Sequence, residues 1–192
     1  HSGQSFWWSN RADESMTTLT RAFDLSSVEQ VTMTYWTWYD LELYYDYAFV
    51  EASTDGGKQW LSLTTPSATA DDPNGNSPGL GHTGQSGDPP EWIQETIDLS
   101  SVAGSEVLVR FVYLTDEAIV GTGLLLDDVS IPAIGYADDA EMGEGEWEPA
   151  GFVYSNNSVP QRYLAILIGI GPGEGPDNEI TVERLPVGED GQ

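Results

Sequence analysis

Residues 31–39 read VTMTYWTWY, and this stretch is the clearest indication of the fold class. Apolar or aromatic side chains alternate with threonines from Val31 to Tyr35, which is the period-two pattern of a half-buried β-strand. Similar runs lie between clusters of glycine, proline, asparagine and aspartate along the first 132 residues. They are Ser5 to Trp8, Thr17 to Phe23, Tyr47 to Ser53, Gln59 to Leu63, Trp92 to Asp98, Val107 to Leu114 and Gly123 to Ile131. With helical periodicity almost absent, these runs predict an all-β, two-sheet sandwich.

Changes in composition suggest where the sandwich begins and ends. Residues 1–4 look like a tag remnant or a disordered start, and residues 5–132 carry the sandwich strands. Glycine, aspartate and glutamate accumulate after Pro132, and a new β pattern follows. We therefore expect residues 133–192 to form a small β extension. It should pack on the sandwich, because about three strands are rarely stable alone.

The charge of the chain limits its partners. Six Lys and Arg residues against 32 Asp and Glu residues give a net charge of 6 − 32 = −26. Such a chain lacks the clustered cations that bind phosphates, so we expect no nucleic-acid ligand. No apolar run approaches the roughly 18 residues of a membrane span. The chain has no cysteine, which excludes disulfides and thiolate zinc sites.

The motifs of common enzymes are missing from this sequence. His1 and His82 are the only histidines, so an H-E-x-x-H zinc site cannot form within the chain. Nucleotide-binding and G-x-S-x-G motifs are also missing. We predict no catalytic residues and interpret His82 as a solvated loop residue. A hydrolase with paired carboxylates remains a minor alternative.

Asp127 is the most informative acid, because it lies within a predicted strand. It shares its parity with Leu125 and Val129, so its carboxylate should face the apolar side of the sheet. An inward carboxylate needs a counter-charge, and Ca²⁺ is the natural one in a chain with few basic residues. The alternative is a position at the sheet rim, bonded to backbone N–H groups or water.

Other acids could complete this calcium site or form another. Within the metal-ligand set we include Asp128, next to Asp127, and the oxygen-rich segment that contains Asp13 and Glu14. A further acidic group is Glu42, Asp46 and Asp116. In the long loop of residues 66–90, Asp72 to Asn76 place oxygen side chains at alternate positions, as in the first half of a calcium loop. Turn capping and solvation are the simpler account of such acids.

An aromatic block could bind a ligand or belong to the core. Trp36, Trp38 and Tyr45 lie in the densest aromatic part of the chain. If exposed, they would form a face for stacking sugars or binding proteins. Period-two geometry allows one parity to be buried and the other exposed.

Several motifs occur together in the order found in one known family. They are Trp38 to Glu42, Asp46 to Gly57, Gly81 to Ser86, Ile97 to Ser100, Val109 to Phe111, Leu126 to Val129, Gly151 to Val153 and Val159 to Tyr163. The chain thereby resembles the non-catalytic β-sandwich that follows the protease domain in immune inhibitor A-like metallopeptidases.

The resemblance implies a jelly-roll similar to MAM and galactose-binding-like domains, secretion by a bacterium and structural Ca²⁺. By this analogy, Asp127 with Asp13 or Glu14 would hold the ion. We therefore expect an extracellular or cell-surface accessory domain whose partner is the metallopeptidase catalytic domain of the same parent chain. The alternative is a carbohydrate-binding module, and a protein ligand is also compatible with the aromatic face.

Overall fold

The computed structural model describes residues 1–157, 165–170 and 180–185. The chain divides into two compact units, residues 1–157 and residues 158–192. The strands of the first unit are β1 Phe6–Trp8, β2 Met16–Asp24, β3 Thr32–Asp40, β4 Tyr47–Ser53, β5 Leu61–Leu63, β6 Ile93–Asp98, β7 Glu106–Leu114, β8 Gly123–Ile131, β9 Tyr136–Asp138, β10 Glu148–Ala150 and β11 Val153–Ser155. Short 3-10 helices span Ser100–Val102 and Pro132–Ile134. Within the described residues, none of the helices has the length and apolar character needed to cross a membrane.

These strands form two antiparallel sheets that pack together. The first sheet has the order β11-β1-β8-β3-β6, with β9 also paired to β8. The second has the order β10-β2-β7-β4-β5. The prediction of an all-β two-sheet sandwich is confirmed.

The core lies between the sheets and is built mainly from alternate residues of the longer strands. Met33 and Tyr35 of β3 are buried, as are Val109 and Phe111 of β7. The rings of Tyr35 and Phe111 meet edge-to-face across the core, with centroids 4.9 Å apart. Burying a ring of this size contributes about 2–3 kcal/mol to stability. The apolar residues that alternate along the sequence therefore hold the two sheets together.

The strands that follow Pro132 belong to the sandwich. Strand β9 pairs with β8, β10 with β2, and β11 with β1. Trp147, just before β10, is buried against Phe111. The acidic, glycine-rich stretch that looks like a boundary in the sequence is therefore a connection between the two sheets, and the structural division falls after Asn157.

The described residues of the second unit form an antiparallel pair, β12 Ala165–Ile170 and β13 Ile180–Leu185. Ile166, Leu167, Ile168 and Val182 of this pair are exposed. The motif Val159 to Tyr163 lies outside the described residues. Packing of this unit on the sandwich stays a prediction.

Candidate functional site

Asp127 is buried, but on the outer face of its sheet. Leu126 belongs to the core between the sheets, whereas Asp127 is paired with Trp36 of β3 on the opposite face. The prediction that Asp127 faces the core was wrong because the chain bulges at Asp128, whose φ is +48°. The extra residue resets the alternation, so Val129 returns to the core.

Three nitrogen donors surround the Asp127 carboxylate. The terminal ammonium of His1 forms an ion pair with Oδ2, the backbone nitrogen of Ser2 donates to Oδ2 at 3.0 Å, and the backbone nitrogen of Asp128 donates to Oδ1 at 2.8 Å. Burial raises the pKa of Asp127, and these hydrogen bonds oppose that shift. Two backbone N–H groups, from Ser2 and Asp128, thus contribute to satisfying the carboxylate. Residues 1 and 2, which looked like a tag remnant in the sequence, cover this carboxylate.

Glu14, expected near Asp127, is found beside a different acid. Its backbone nitrogen donates to the carbonyl oxygen of Asp116 at 2.6 Å, while Asp13 is exposed in the same connection. The side chains of Glu14 and Asp116 line one cleft. The structure therefore brings Glu14 to the acidic group of Glu42, Asp46 and Asp116.

That acidic group is the one possible metal cluster found among the described residues. One carboxylate oxygen from each of Glu42, Asp46 and Asp116 lies within 4.8 Å of the others. Two of these carboxylates come together at paired strand ends, because β4 and β7 pair so that Tyr47 is opposite Leu114. Asp46 precedes β4 and Asp116 follows β7. We call Glu42, Asp46 and Asp116 the acidic cluster.

A tight turn adds the third member of the acidic cluster. The carbonyl oxygen of Glu42 accepts the N–H groups of Tyr45 and Asp46, at 3.2 and 3.0 Å. Tyr44 takes a left-handed conformation in this turn, with φ of +67°. The turn therefore places Glu42 and Asp46 on the same side, next to Asp116.

Asp46 is the buried member of the acidic cluster. It is 0% exposed, and its oxygens accept the Tyr113 hydroxyl at 2.9 Å and the Asp116 backbone nitrogen at 3.2 Å. Burial raises the pKa of Asp46 and also that of Glu42, and the negative charge of Asp116 adds to both shifts. In the described part of the chain, none of the three acids forms an ion pair with Lys, Arg or His. The arrangement thus holds close negative charges that a cation would offset.

The long loop folds back over the acidic cluster. Asn76 donates from Nδ2 to Asp116 at 3.4 Å, and its backbone nitrogen donates to Asp72 at 2.8 Å. Asn74 donates to the carbonyl oxygen of Tyr44 at 3.1 Å. A cleft of about 470 Å³ opens here. Its lining residues are Glu14, Tyr45, Asn74, Asn76, Asp116 and Glu117.

The aromatic candidates occupy two separate places. Trp36 and Trp38 lie half-buried on the outer face of β3, beside Asp127 and Leu125 respectively. Tyr45 is exposed in the cleft at the acidic cluster. The structure therefore does not bring Tyr45 together with the two tryptophans.

A buried polar group around His82 was missed in the sequence. His82 is 3% exposed, so its interpretation as a solvated residue was wrong. Its ring nitrogens contact the hydroxyls of Thr65 at 3.2 Å and Ser67 at 3.1 Å, and Ser67 donates to Glu95. Glu95 is 1% exposed, and its Oε2 has no hydrogen-bond partner.

Burial determines the protonation of this group. It lowers the pKa of His82 to about 4 and raises the pKa of Glu95, so each side chain favours its neutral form. The sequence did carry a sign of Glu95, since it has the same parity as Ile93 and Ile97 in the strand pattern. Nothing comparable marks His82, because its burial depends on how the long loop docks.

Comparison with known proteins connects this geometry to a family. The family described as "Immune inhibitor A-like, MAM domain" matches residues 1–157. Immune inhibitor A of Bacillus thuringiensis subsp. alesti is 29% identical over 169 residues, which cover 84% of this chain and 22% of that protein. The pre-pro-metalloprotease PrtV of Vibrio cholerae serotype O1 (strain M66-2) is 31% identical over 145 residues, which cover 74% of this chain and 15% of PrtV.

The matched region comprises less than a quarter of each relative, so the chain corresponds to one part of these larger proteins. The family match and the strands described above coincide over the same 157 residues. The chain belongs to the MAM-domain family of immune inhibitor A-like proteins.

Proposed function

We propose that this chain is a non-catalytic, extracellular accessory domain of a secreted metallopeptidase, and that Ca²⁺ stabilises it. The family match and the metalloprotease relative support the accessory role, since the matched region is only 15% of PrtV. In this role the domain holds or orients the catalytic domain of its parent chain, or binds a substrate or partner. Its mechanism is binding rather than bond chemistry.

The acidic cluster is the observation that carries the calcium proposal. Ca²⁺ takes six to eight oxygen ligands at about 2.3–2.6 Å, so ligands on opposite sides of one ion are about 5 Å apart. The three carboxylates, with ligand atoms within 4.8 Å of one another, fit that size. Oxygens of Asn76 and Glu14 are available in the adjoining cleft.

Bound calcium would join three separate parts of the chain. Glu42 and Asp46 belong to the turn before β4, Asp116 follows β7, and Asn76 comes from the long loop. An ion shared by these parts would offset their mutual repulsion and hold the loop to the sandwich. Structural stabilisation is therefore the expected effect of metal binding.

Calcium should raise the melting temperature of the chain. At a free concentration a hundredfold above Kd, binding to the folded state alone adds about 2.7 kcal/mol to its stability. The measurement is thermal unfolding in excess chelator and again in millimolar CaCl₂. Asp46→Asn should remove most of the response, while Glu29→Gln, at an exposed acid outside the acidic cluster, should retain it.

Unfolding curves that superimpose with and without calcium would contradict the metal part of this proposal. A response that persists undiminished in Asp46→Asn and Asp116→Asn would place the ion elsewhere.

A carbohydrate-binding role is the second candidate, and a row of side chains on the outer face of the first sheet favours it. Trp8 of β1 lies opposite Leu125, and Leu125 lies opposite Trp38 of β3. Both tryptophans are half-buried, so part of each ring faces solvent. Two rings on either side of Leu125 in one row across the sheet offer a stacking surface for a sugar chain.

If this surface binds sugars, a glycan array probed with the full chain should give binding that Trp38→Ala reduces at least tenfold. Tyr45→Ala, in the separate cleft, should leave it unchanged. If the chain binds no glycan on a broad array, the carbohydrate-binding role is excluded.

A further inference from the structure

Two tryptophans on the outer face of the first sheet belong to a row that crosses its strands. Trp8 of β1 and Trp38 of β3 are each paired with Leu125 of β8, so the three residues lie side by side on neighbouring strands. Val153 of β11, which is 40% exposed, continues the row beyond Trp8. None of these side chains carries a charge. We call Trp8, Leu125 and Trp38 the tryptophan row.

The indole of Trp8 is fixed to the backbone at one end of the sheet. Its Nε1 donates to the carbonyl oxygen of Thr122 at 2.8 Å. A Cβ at Gly123 would lie 3.3 Å from that nitrogen, and Gly123 has φ of +95°, so a glycine is what allows this close approach. Because the ring is held in place before a ligand arrives, stacking on it costs little conformational entropy.

The spacing of the tryptophan row corresponds to one sugar per strand. Neighbouring strands are about 4.7–4.9 Å apart, so Trp8 and Trp38, two strands apart, are separated by about 9–10 Å. In an extended β-1,4-linked glycan each sugar advances the chain by about one such strand spacing, and every second sugar has the same orientation. A chain that runs across the strands therefore places alternate sugars over the two tryptophans and the intervening sugar over Leu125. The α-1,4- and β-1,3-linked glucans coil and do not keep this repeat.

A carboxylate with free acceptor positions borders the tryptophan row. Asp40 follows Trp38 by two positions on β3 and is paired with Gly123, so it lies beside the row at the end of the same face. Gln85 Nε2 donates to Asp40 Oδ1 at 2.8 Å, and the Thr122 hydroxyl donates to Oδ2 at 3.3 Å. A carboxylate offers about four acceptor positions. About two therefore remain for the hydroxyl groups of a ligand.

We propose that the tryptophan row and Asp40 bind a single chain of a neutral β-1,4-linked glycan. This inference rests on the carbohydrate-binding candidate above, and it gives that candidate a linkage and a hydrogen-bonding residue. The C–H faces of alternate sugars stack on Trp8 and Trp38, and hydroxyl groups at the edge of the chain donate to Asp40. Glucose and N-acetylglucosamine both form β-1,4-linked chains of this shape, so the ligand class is defined by the linkage and not by one sugar.

Charge and the twist of the sheet narrow this ligand class. The net charge of −26 repels acidic polysaccharides, which leaves neutral chains. Adjacent strands of a sheet are rotated by about 20–25°, so two rings that lie two strands apart are not coplanar. Such a surface fits a single chain, which can twist along its length, better than the flat face of a polysaccharide crystal. Soluble oligosaccharides are therefore the appropriate probes.

Calorimetric titration of the full chain with soluble hexasaccharides tests the linkage. The β-1,4-linked probes are cellohexaose and hexa-N-acetylchitohexaose, and the comparison probes are α-1,4-linked maltohexaose and β-1,3-linked laminarihexaose. At least one β-1,4-linked hexamer should bind at least tenfold more tightly than both comparison probes. Trp8→Ala and Trp38→Ala should each weaken its binding at least tenfold. Asp40→Asn, which keeps one acceptor oxygen, should weaken it about threefold, and Tyr45→Ala, in the separate cleft, should leave it unchanged.

The length of the oligosaccharide tests the spacing in the unaltered protein, so this measurement does not depend on the folding of a variant. A disaccharide cannot reach both tryptophans, whereas a trisaccharide can. In the series that binds, the trimer should therefore bind at least tenfold more tightly than the dimer.

The outcomes separate this inference from the broader carbohydrate-binding role. Equal or tighter binding of maltohexaose or laminarihexaose, equal affinities of dimer and trimer, or binding that survives Trp8→Ala would overturn the inference and leave the broader role standing. Binding of no probe would also overturn the inference. If the glycan array gives no binding either, the broader role is excluded with it.

Discussion

Between pH 7 and pH 4, His82 should cost the folded protein about 3 kcal/mol of stability, because burial lowers its pKa from 6.5 to about 4. The unfolded chain takes up a proton on this side chain near pH 6.5, whereas the folded chain resists protonation until about pH 4. The contribution is therefore fully present above pH 6.5 and is lost as the pH falls towards 4.

Many carboxylates titrate in the same range, so the measurement must isolate His82. Urea unfolding gives the stability of the unaltered chain and of His82→Gln at pH 7, 5.5 and 4. Since the two proteins share all other ionisable groups, the difference between their stabilities reports on His82. The glutamine side chain has no ionisable group, so the variant should lose less stability than the parent as the pH falls. Parallel stability profiles for the two proteins would contradict the prediction.

The link between His82 and the acidic cluster is the long loop. His82 exchanges two backbone hydrogen bonds with Ala48 of β4, at 2.8 and 2.9 Å. Asn76 of the same loop donates to Asp116. Because one loop supplies both contacts, protonation of His82 at low pH should also loosen the cover of the acidic cluster. The calcium response is therefore best measured near neutral pH.

The strands could be predicted from the sequence because buried and more exposed side chains alternate along them. The predicted strand from Val31 to Tyr39 corresponds to the observed Thr32–Asp40, a shift of one residue at each end. The short strands after Pro132 were read as a separate unit, because acidic and glycine-rich connections look alike whether they join sheets or domains. The pairing of β9, β10 and β11 with strands of the sandwich reveals the difference.

The candidate sites depended on geometry that alternation does not encode. Asp127 was predicted to be inward because parity was counted through Asp128, where the backbone bulges. Glu42 and Asp46 were grouped with Asp116 from sequence, but their approach depends on the register of β4 against β7. Residue types therefore indicated which acids to consider, while register and the bulge decided where each one lies.

The largest stabilising substitution we expect is Glu95→Gln. Glu95 lies inside the sandwich on β6, accepts a hydrogen bond from Ser67, and leaves Oε2 without a partner. Within the described residues, no Lys, Arg or His forms an ion pair with it. An uncompensated buried carboxylate costs about 3 kcal/mol once it is ionised. The neutral amide has nearly the same shape, can still accept from Ser67, and carries no charge.

The pH dependence identifies the cause of this gain. Burial raises the pKa of Glu95, so the folded chain keeps the proton at a pH where the unfolded chain has released it. The unaltered protein is therefore stabilised by this group at low pH and loses that contribution as the pH rises through the folded pKa. Glu95→Gln should match the parent at pH 4 and exceed it by about 3 kcal/mol at high pH. Urea unfolding at pH 4, 6 and 8 measures this difference. The control is Glu106→Gln, at an exposed position of β7, which should change stability by less than about 0.5 kcal/mol. A gain of equal size at every pH would show that packing, and not the buried charge, distinguishes the two side chains.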